Sequence, residues 1–238
     1  MALILNIETA IETASISLAK DGKMLLSATN EGKKDHAMWI QSAIRLLIKD
    51  SESTLQNLNA VAVTIGPGSY TGLRIGLSTA KGLCYALKIP LITVGTLEVM
   101  AFSAIKDEEA SILRSLTPDL LFCPMIDARR MEVFAAVYDS SLYEMVKPHA
   151  LILNPYSFDE LLKGSKILFL GNGSIKFQKV CQNAHAMFKI IALNPVALAT
   201  LTYKYFIGNN FAGLAYTEPL YLKEFFAKDR EPGKTSLN

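Results

Sequence analysis

Few stretches of this chain have the residue types and spacing that chemistry requires. The most informative is GPGSYTGLRIG, residues 66–76, which follows the apolar run AVAVTI and precedes a helical pattern. Backbone N–H groups and a helix dipole at such a junction favour an anion. The spacing nevertheless departs from the phosphate-binding loops. Gly66, Gly68 and Gly72 form GxGxxxG rather than GxGxxG, and no Gly-Lys-Ser/Thr follows. A second use fits better. Gly72 and Gly76 stand one turn apart with Thr79 beyond them, so one helix face is nearly bare. Another backbone can approach such a face closely, from within the chain or from a partner, and a tight turn with internal packing is the competing use. Ser69 is flanked by Gly68 and Tyr70, which is not GxSxG. A nucleophilic serine needs an oriented base, and His36, His149 and His185 are scattered with no acidic motif beside them. The spacing therefore predicts a turn-forming or helix-capping hydroxyl. It predicts no metal centre either, because there is no HExxH, no helically spaced histidine pair and no CxxC.

Two further segments bear on a nucleotide. If two lobes enclosed one, the turns that open each lobe would grip its phosphates. The first, Glu8-Thr9-Ala10-Ile11-Glu12, is acidic and lacks glycine, so it would repel a triphosphate unless a metal intervened. The second, Asp127-Ala128-Arg129-Arg130, puts bulky residues where backbone would have to approach phosphate. Glu8, Thr9, Asp127 and Arg129 are the candidate nucleotide-cleft residues, and together they make a poorly equipped cleft. Arg129 and Arg130 can hold phosphate by side chain, or form a solvated hairpin tip or an interface pair.

The elements that must position these residues can be read from periodicity. Residues 3–7 read as a buried strand, and residues 14–18 alternate as a half-buried one. Asp21-Gly22 then turns the chain into a returning strand over residues 23–29. Trp39, Ile40, Ala43, Ile44 and Leu47 share a helical face, with Asp35 as N-cap. Residues 60–65 form a central strand. Leu73, Leu77, Ala80, Cys84 and Leu87, at steps of 4, 3, 4 and 3, form a helix ending before Pro90. A strand over 91–94 and a helix over 97–105 complete a β-β-β-α-β-α-β-α unit. The charged segment 106–118 is the expected lobe boundary, giving lobes 1–106 and 107–238. Beyond it the order repeats. Strands are expected over 120–126, 132–138 and from 143, with a helix over 158–162 opened by Ser157. A strand over 166–170, a helix over 175–181, a strand over 188–191 and a helix from Pro195 to about 206 follow. Three antiparallel strands followed by βαβ crossovers predict an α/β fold of two mixed sheets with helices on both faces.

Composition narrows the function. The 238 residues are 50% hydrophobic and 19% charged, which excludes a disordered or fibrous chain. Lys+Arg 24 against Asp+Glu 22 leaves a dispersed net charge of +2, too little for a protein whose main task is coating a phosphate backbone. Cys84, Cys123 and Cys181 are odd in number and set in apolar sequence, which predicts reduced core thiols in a cytoplasmic protein. The apolar run at the amino terminus stops at Asn6, too short for a signal peptide or a membrane span.

ILNIETA (4–10), GPGSYTGLRIGLSTAKGL (66–83), PLITVGTLE (90–98), PMIDARRMEVFAA (124–136) and EPLYLKEF (218–225) occur in an order that resembles the TsaB (YeaZ) family. That family belongs to the bacterial system for the tRNA modification threonylcarbamoyladenosine. The resemblance implies a two-lobed, duplicated RNase-H-like fold of the actin/Hsp70/sugar-kinase (ASKHA) type. It implies a non-catalytic subunit that pairs with the catalytic subunit TsaD, or with a second copy of itself when alone. With the ATPase TsaE it would support transfer of threonylcarbamoyl to adenosine 37 of tRNAs reading A-starting codons. ATP and metal would belong to the partner subunits, with no cofactor held by this chain, and tRNA would be reached through the complex. Interface residues carried over are Gly66, Gly68, Gly72, Arg74 and Gly76, with His36 from the first helix. The chain departs from the family in having Glu8-Thr9-Ala10 where Asp-Thr-Ser is common, and Met38 where Glu often follows the histidine. A kinase or ATPase of the same superfamily is the alternative function, and a peptidase a third. Basic residues near the carboxyl terminus (Lys223, Lys228, Arg230, Lys234) are interleaved with acids. The final KDREPGKTSLN is therefore expected to be a disordered end, and direct tRNA binding by the isolated chain is not expected.

Overall fold

In the computed structural model, residues 1–30, 36–191 and 193–223 are described. Asp35 and the tail beyond Lys223 lie outside them. The elements run β1 (Leu3–Glu8), β2 (Ala14–Lys20), β3 (Lys23–Asn30), α1 (His36–Asp50), β4 (Ala60–Thr64), α2 (Tyr70–Leu87), β5 (Leu91–Val94), α3 (Thr96–Lys106) and α4 (Glu108–Leu116). They continue with β6 (Leu121–Asp127), β7 (Glu132–Tyr138), β8 (Glu144–Ile152), α5 (Asp159–Gly164), β9 (Ile167–Leu170), α6 (Ser174–Gln178), β10 (Ala186–Lys189) and α7 (Pro195–Ile207).

Two five-stranded sheets share one design, β3-β2-β1-β4-β5 and β8-β7-β6-β9-β10. In each, the first three strands are antiparallel and the last two add in parallel. This is the duplication that the repeated element order predicts, in the RNase-H-like form that the family resemblance implies. The β2–β3 turn forms as read, with Asp21 and Gly22 both left-handed (φ 49° and 78°), the geometry that makes Asp-Gly a hairpin signal.

Each sheet is covered on both faces. On the first, α1 supplies Ile40, Ala43, Ile44 and Leu47, and α2 supplies Leu77, Ala80 and Cys84, against Leu5, Ile7, Val61 and Val63. The heptad-like seam of α2 is thus a core seam. The opposite face takes α7 through Ala197, Leu198 and Leu201. The chain therefore returns to its first sheet after building its second, and Thr202 Oγ1 donates to the buried Asn6 Oδ1 at 2.6 Å. Helix α3 lies between the sheets. Val99 and Phe102 join the first core, whereas Leu97, Met100 and Ala101 join the second. The far face of the second sheet is filled by Phe158, Phe169, Phe177 and Phe188, with neighbouring rings about 5 Å apart.

Some expectations change. The charged segment read as a lobe boundary holds helix α4, whose Asp107 side chain accepts from Ala110 N–H at 3.0 Å. Strand β8, for which only a start near 143 was expected, runs from Glu144 to Ile152. It is an edge strand, where Pro148 costs no ladder bond. Ser157 does not cap α5. Its hydroxyl accepts from Asn154 N–H, and Phe158 stands at the cap. Helix α6 is one short turn, and β10 starts two residues earlier than expected.

Candidate interaction surface

The glycine loop joins β4 to α2 beside the turn that leaves β1. Ser69 caps α2, its Oγ accepting from Gly72 N–H at 3.2 Å, which is the capping role expected of it. The histidines give it no base: His149 Nδ1 lies 2.9 Å from Lys147 O, and His185 Nδ1 lies 2.7 Å from Leu162 O. Ser69 N–H donates to Ala10 O at 2.6 Å, and Thr9 Oγ1 donates to Gly72 O at 2.8 Å. The two loops are therefore laced together.

The lacing decides what the glycines do. A Cβ on Gly72 would collide with the Thr9 carbonyl oxygen, one on Gly76 with Thr9 Oγ1, and one on Gly68 with the Ala10 carbonyl oxygen. Gly72 and Gly76 are buried. The bare face is filled by the chain's own 8–10 turn, so it is not left for a partner helix. Of the expected interface residues, Arg74 is exposed and His36 half-buried, with His36 Nδ1 3.4 Å from Asn30 Nδ2. Gly66 (φ 115°) serves another neighbour. A Cβ there would sit 2.9 Å from the Leu220 carbonyl oxygen.

The expected cleft residues separate. Glu8 and Thr9 are wholly buried under α2 and are unavailable to a nucleotide. Glu8 Oε1 accepts from Ala10 N–H at 2.5 Å. Burial pushes its carboxyl up to about 7, with Thr64 and the Ala10 and Ile11 N–H groups pulling the other way. Asp127 and Arg129 are exposed at the mouth of the second lobe. Asp127 pairs with Lys176 at 2.6 Å. Among the described residues, no cluster of three or more His, Cys, Asp or Glu side chains suits a metal ion.

Sequence reasoning missed a strap formed by the last described residues. Ala212 N–H donates to Leu91 O at 2.8 Å, and Lys81 Nζ donates to the carbonyls of Ala215 and Thr217 at 3.2 and 3.1 Å. Leu220 N–H donates to Ile65 O at 2.7 Å. Arg74 stacks 4.1 Å over the Tyr70 ring and donates from Nε to Tyr221 Oη at 3.0 Å. Lys223 then reaches the second sheet through Glu132 at 2.5 Å. Between strap, glycine loop and Phe134 a groove of about 170 Å³ remains. Small-molecule sites are usually roughly 300–1,000 Å³. The motif EPLYLKEF was the only signal of this strap, and it carries no periodicity.

A different surface is open. α1 and α2 lie side by side on the first sheet. Away from the sheet, Met38, Leu46 and Tyr85 are 74%, 57% and 79% exposed. Gly82 of α2 has open space where a side chain would be. Large apolar side chains beside a glycine allow a second pair of helices to approach closely. All three cysteines are free and none is exposed.

Comparison with known proteins gives a consistent result. The family described as "TsaD: tRNA N6-adenosine threonylcarbamoyltransferase" matches residues 27–219. The chain is 33% identical over 172 residues to the tRNA threonylcarbamoyladenosine biosynthesis protein TsaB of Bacillus subtilis, covering 71% of this chain and 70% of that one. It is 28% identical to the TsaB of Escherichia coli, across 97% of this chain and 99% of that one. In structure it is similar to YeaZ from Pseudomonas aeruginosa, with a TM-score of 0.76 at 22% identity, covering 93% of this chain and all of that one.

Proposed function

The chain belongs to the TsaB (YeaZ) family, and from that premise we propose that it is a non-catalytic subunit in threonylcarbamoyladenosine formation on tRNA. Its task is to bind and organise a TsaD-type threonylcarbamoyltransferase in the cytoplasm, working with TsaE. ATP and metal belong to those partners, and the chain pairs with itself through the same face when alone. The observation that carries this reading is the outer face of the neighbouring helices α1 and α2, where Met38, Leu46 and Tyr85 are exposed and Gly82 leaves open space. The burial of Glu8 and Thr9 supports it by removing the phosphate-gripping turn that a kinase or ATPase would need.

The face can be tested without disturbing the core. Leu46→Asp with Tyr85→Asp puts two carboxylates where apolar contact is expected, on side chains that are mostly solvated in the free chain. Titration calorimetry with the TsaD-type partner should find binding weakened at least a hundredfold, about 3 kcal/mol, since anchors at an interface centre commonly carry that much. Unchanged affinity would remove the face from the account.

A further inference from the structure

Building on the reading above, we propose that the tip of the β6–β7 hairpin is a contact site for tRNA phosphates in the assembled complex, made by Arg129 and Arg130. The tip is rigid. Ala128 N–H donates to Glu132 O at 3.1 Å, Glu132 N–H to Arg129 O at 3.0 Å, and Leu153 N–H to Met131 O at 2.7 Å. Arg129 N–H also donates to Asp127 Oδ1 at 2.6 Å. On this platform both arginines adopt left-handed backbone, φ 72° and 49°, a region that glycine or asparagine normally occupies. A hairpin that needed only to turn would be built from those residues. Here two consecutive guanidinium groups are held there instead, both exposed to solvent.

The neighbouring acids are engaged elsewhere. Asp127 takes Lys176 at 2.6 Å, and Glu132 takes Lys223 at 2.5 Å. Among the described residues no carboxylate pairs with Arg129 or Arg130. Among the described residues, then, the tip presents two guanidinium forks without a carboxylate partner, which match phosphate oxygens in bidentate fashion. Contacts of this kind position a nucleic acid without reading its sequence. The chain's overall charge of only +2 is too weak to capture RNA alone, so the contact adds to a grip supplied by the partner. An acidic protein surface would satisfy the same charges, and the test separates the two.

The experiment uses the full chain assembled with its TsaD-type partner, comparing the unaltered chain with R129Q/R130Q and R129K/R130K. Assembly is followed by sizing and tRNA affinity by titration across a salt series. We expect the glutamine variant to assemble normally and to bind tRNA roughly tenfold more weakly at about 0.1 M salt. Its log–log salt slope should be shallower by roughly 1.5–2, as the loss of two phosphate contacts requires, and lysines should restore most of that slope. An intact complex with unchanged affinity and slope would overturn the arginine assignment alone. Failure of the glutamine variant to assemble would also overturn it, since the pair would then serve a protein contact. If the unaltered chain and partner fail to assemble, the proposed function falls, and the arginine assignment falls with it.

Discussion

Glu8 is the residue whose chemistry departs most from ordinary. It lies fully buried at the end of β1, and its carboxyl is raised from 4.5 to about 7 by burial. The folded chain therefore keeps a proton that the unfolded chain releases. The corresponding stability is fully present below about pH 4.5 and is lost as pH rises through about 7. A gap of that size corresponds to about 3 kcal/mol. Chemical denaturation of Glu8→Gln should show a flatter stability profile between those limits and a gain over the parent at pH 8; an unaltered slope would refute this. Gly72 marks the other extreme. Gly72→Ala drives a methyl into the Thr9 carbonyl oxygen, where backbone has to move, and should cost about 2–4 kcal/mol in thermal melts. The spacing of Gly72 and Gly76 was legible as a demand for close approach. What approaches was not, because the visitor is a turn some sixty residues earlier and no local pattern encodes that contact.

Elements show the same division between local and distant information. Strands β1 to β7, helices α1 to α3 and helix α7 follow from apolar period and punctuation, and they appear where period places them. Helix α4 was legible too, through Asp107 as N-cap with Glu108 and Glu109 in the first turn, although its charge resembled a linker. Asp107→Ala should cost about 1 kcal/mol. Only the start of strand β8 was legible, because Pro148 interrupts a strand pattern unless the strand lies at an edge. Helix α2 offers a further contrast. Gly82 has open space around it, so Gly82→Ala should raise stability by about 0.5–1 kcal/mol, opposite in sign to Gly72→Ala one face away. Equal effects in the two melts would mean that the inner and outer faces are wrongly assigned.

At the scale of the whole molecule, contacts between distant segments close the duplicated fold on itself. The 8–10 turn is packed under α2, and the strap ending in Tyr221 and Lys223 crosses from the first sheet to the second. Tyr221→Ala removes the ring beside Tyr70 and the acceptor for Arg74. Hydrogen exchange at the Leu220 amide should accelerate severalfold while core amides stay unchanged. This long-range closure had no periodic signature, which is why the cleft read from sequence was poorly equipped rather than filled. The proposed docking role rests on the outer face of α1 and α2, whose apolar side chains stay exposed. Threonylcarbamoyladenosine formation, reconstituted from this chain, a TsaD-type and a TsaE-type protein, tRNA, ATP and threonylcarbamoyl donor, tests the proposed role most directly. The account predicts that Leu46→Asp with Tyr85→Asp abolishes modification while Glu8→Gln leaves it intact. Full modification by the face variant, or its loss with Glu8→Gln, would contradict it.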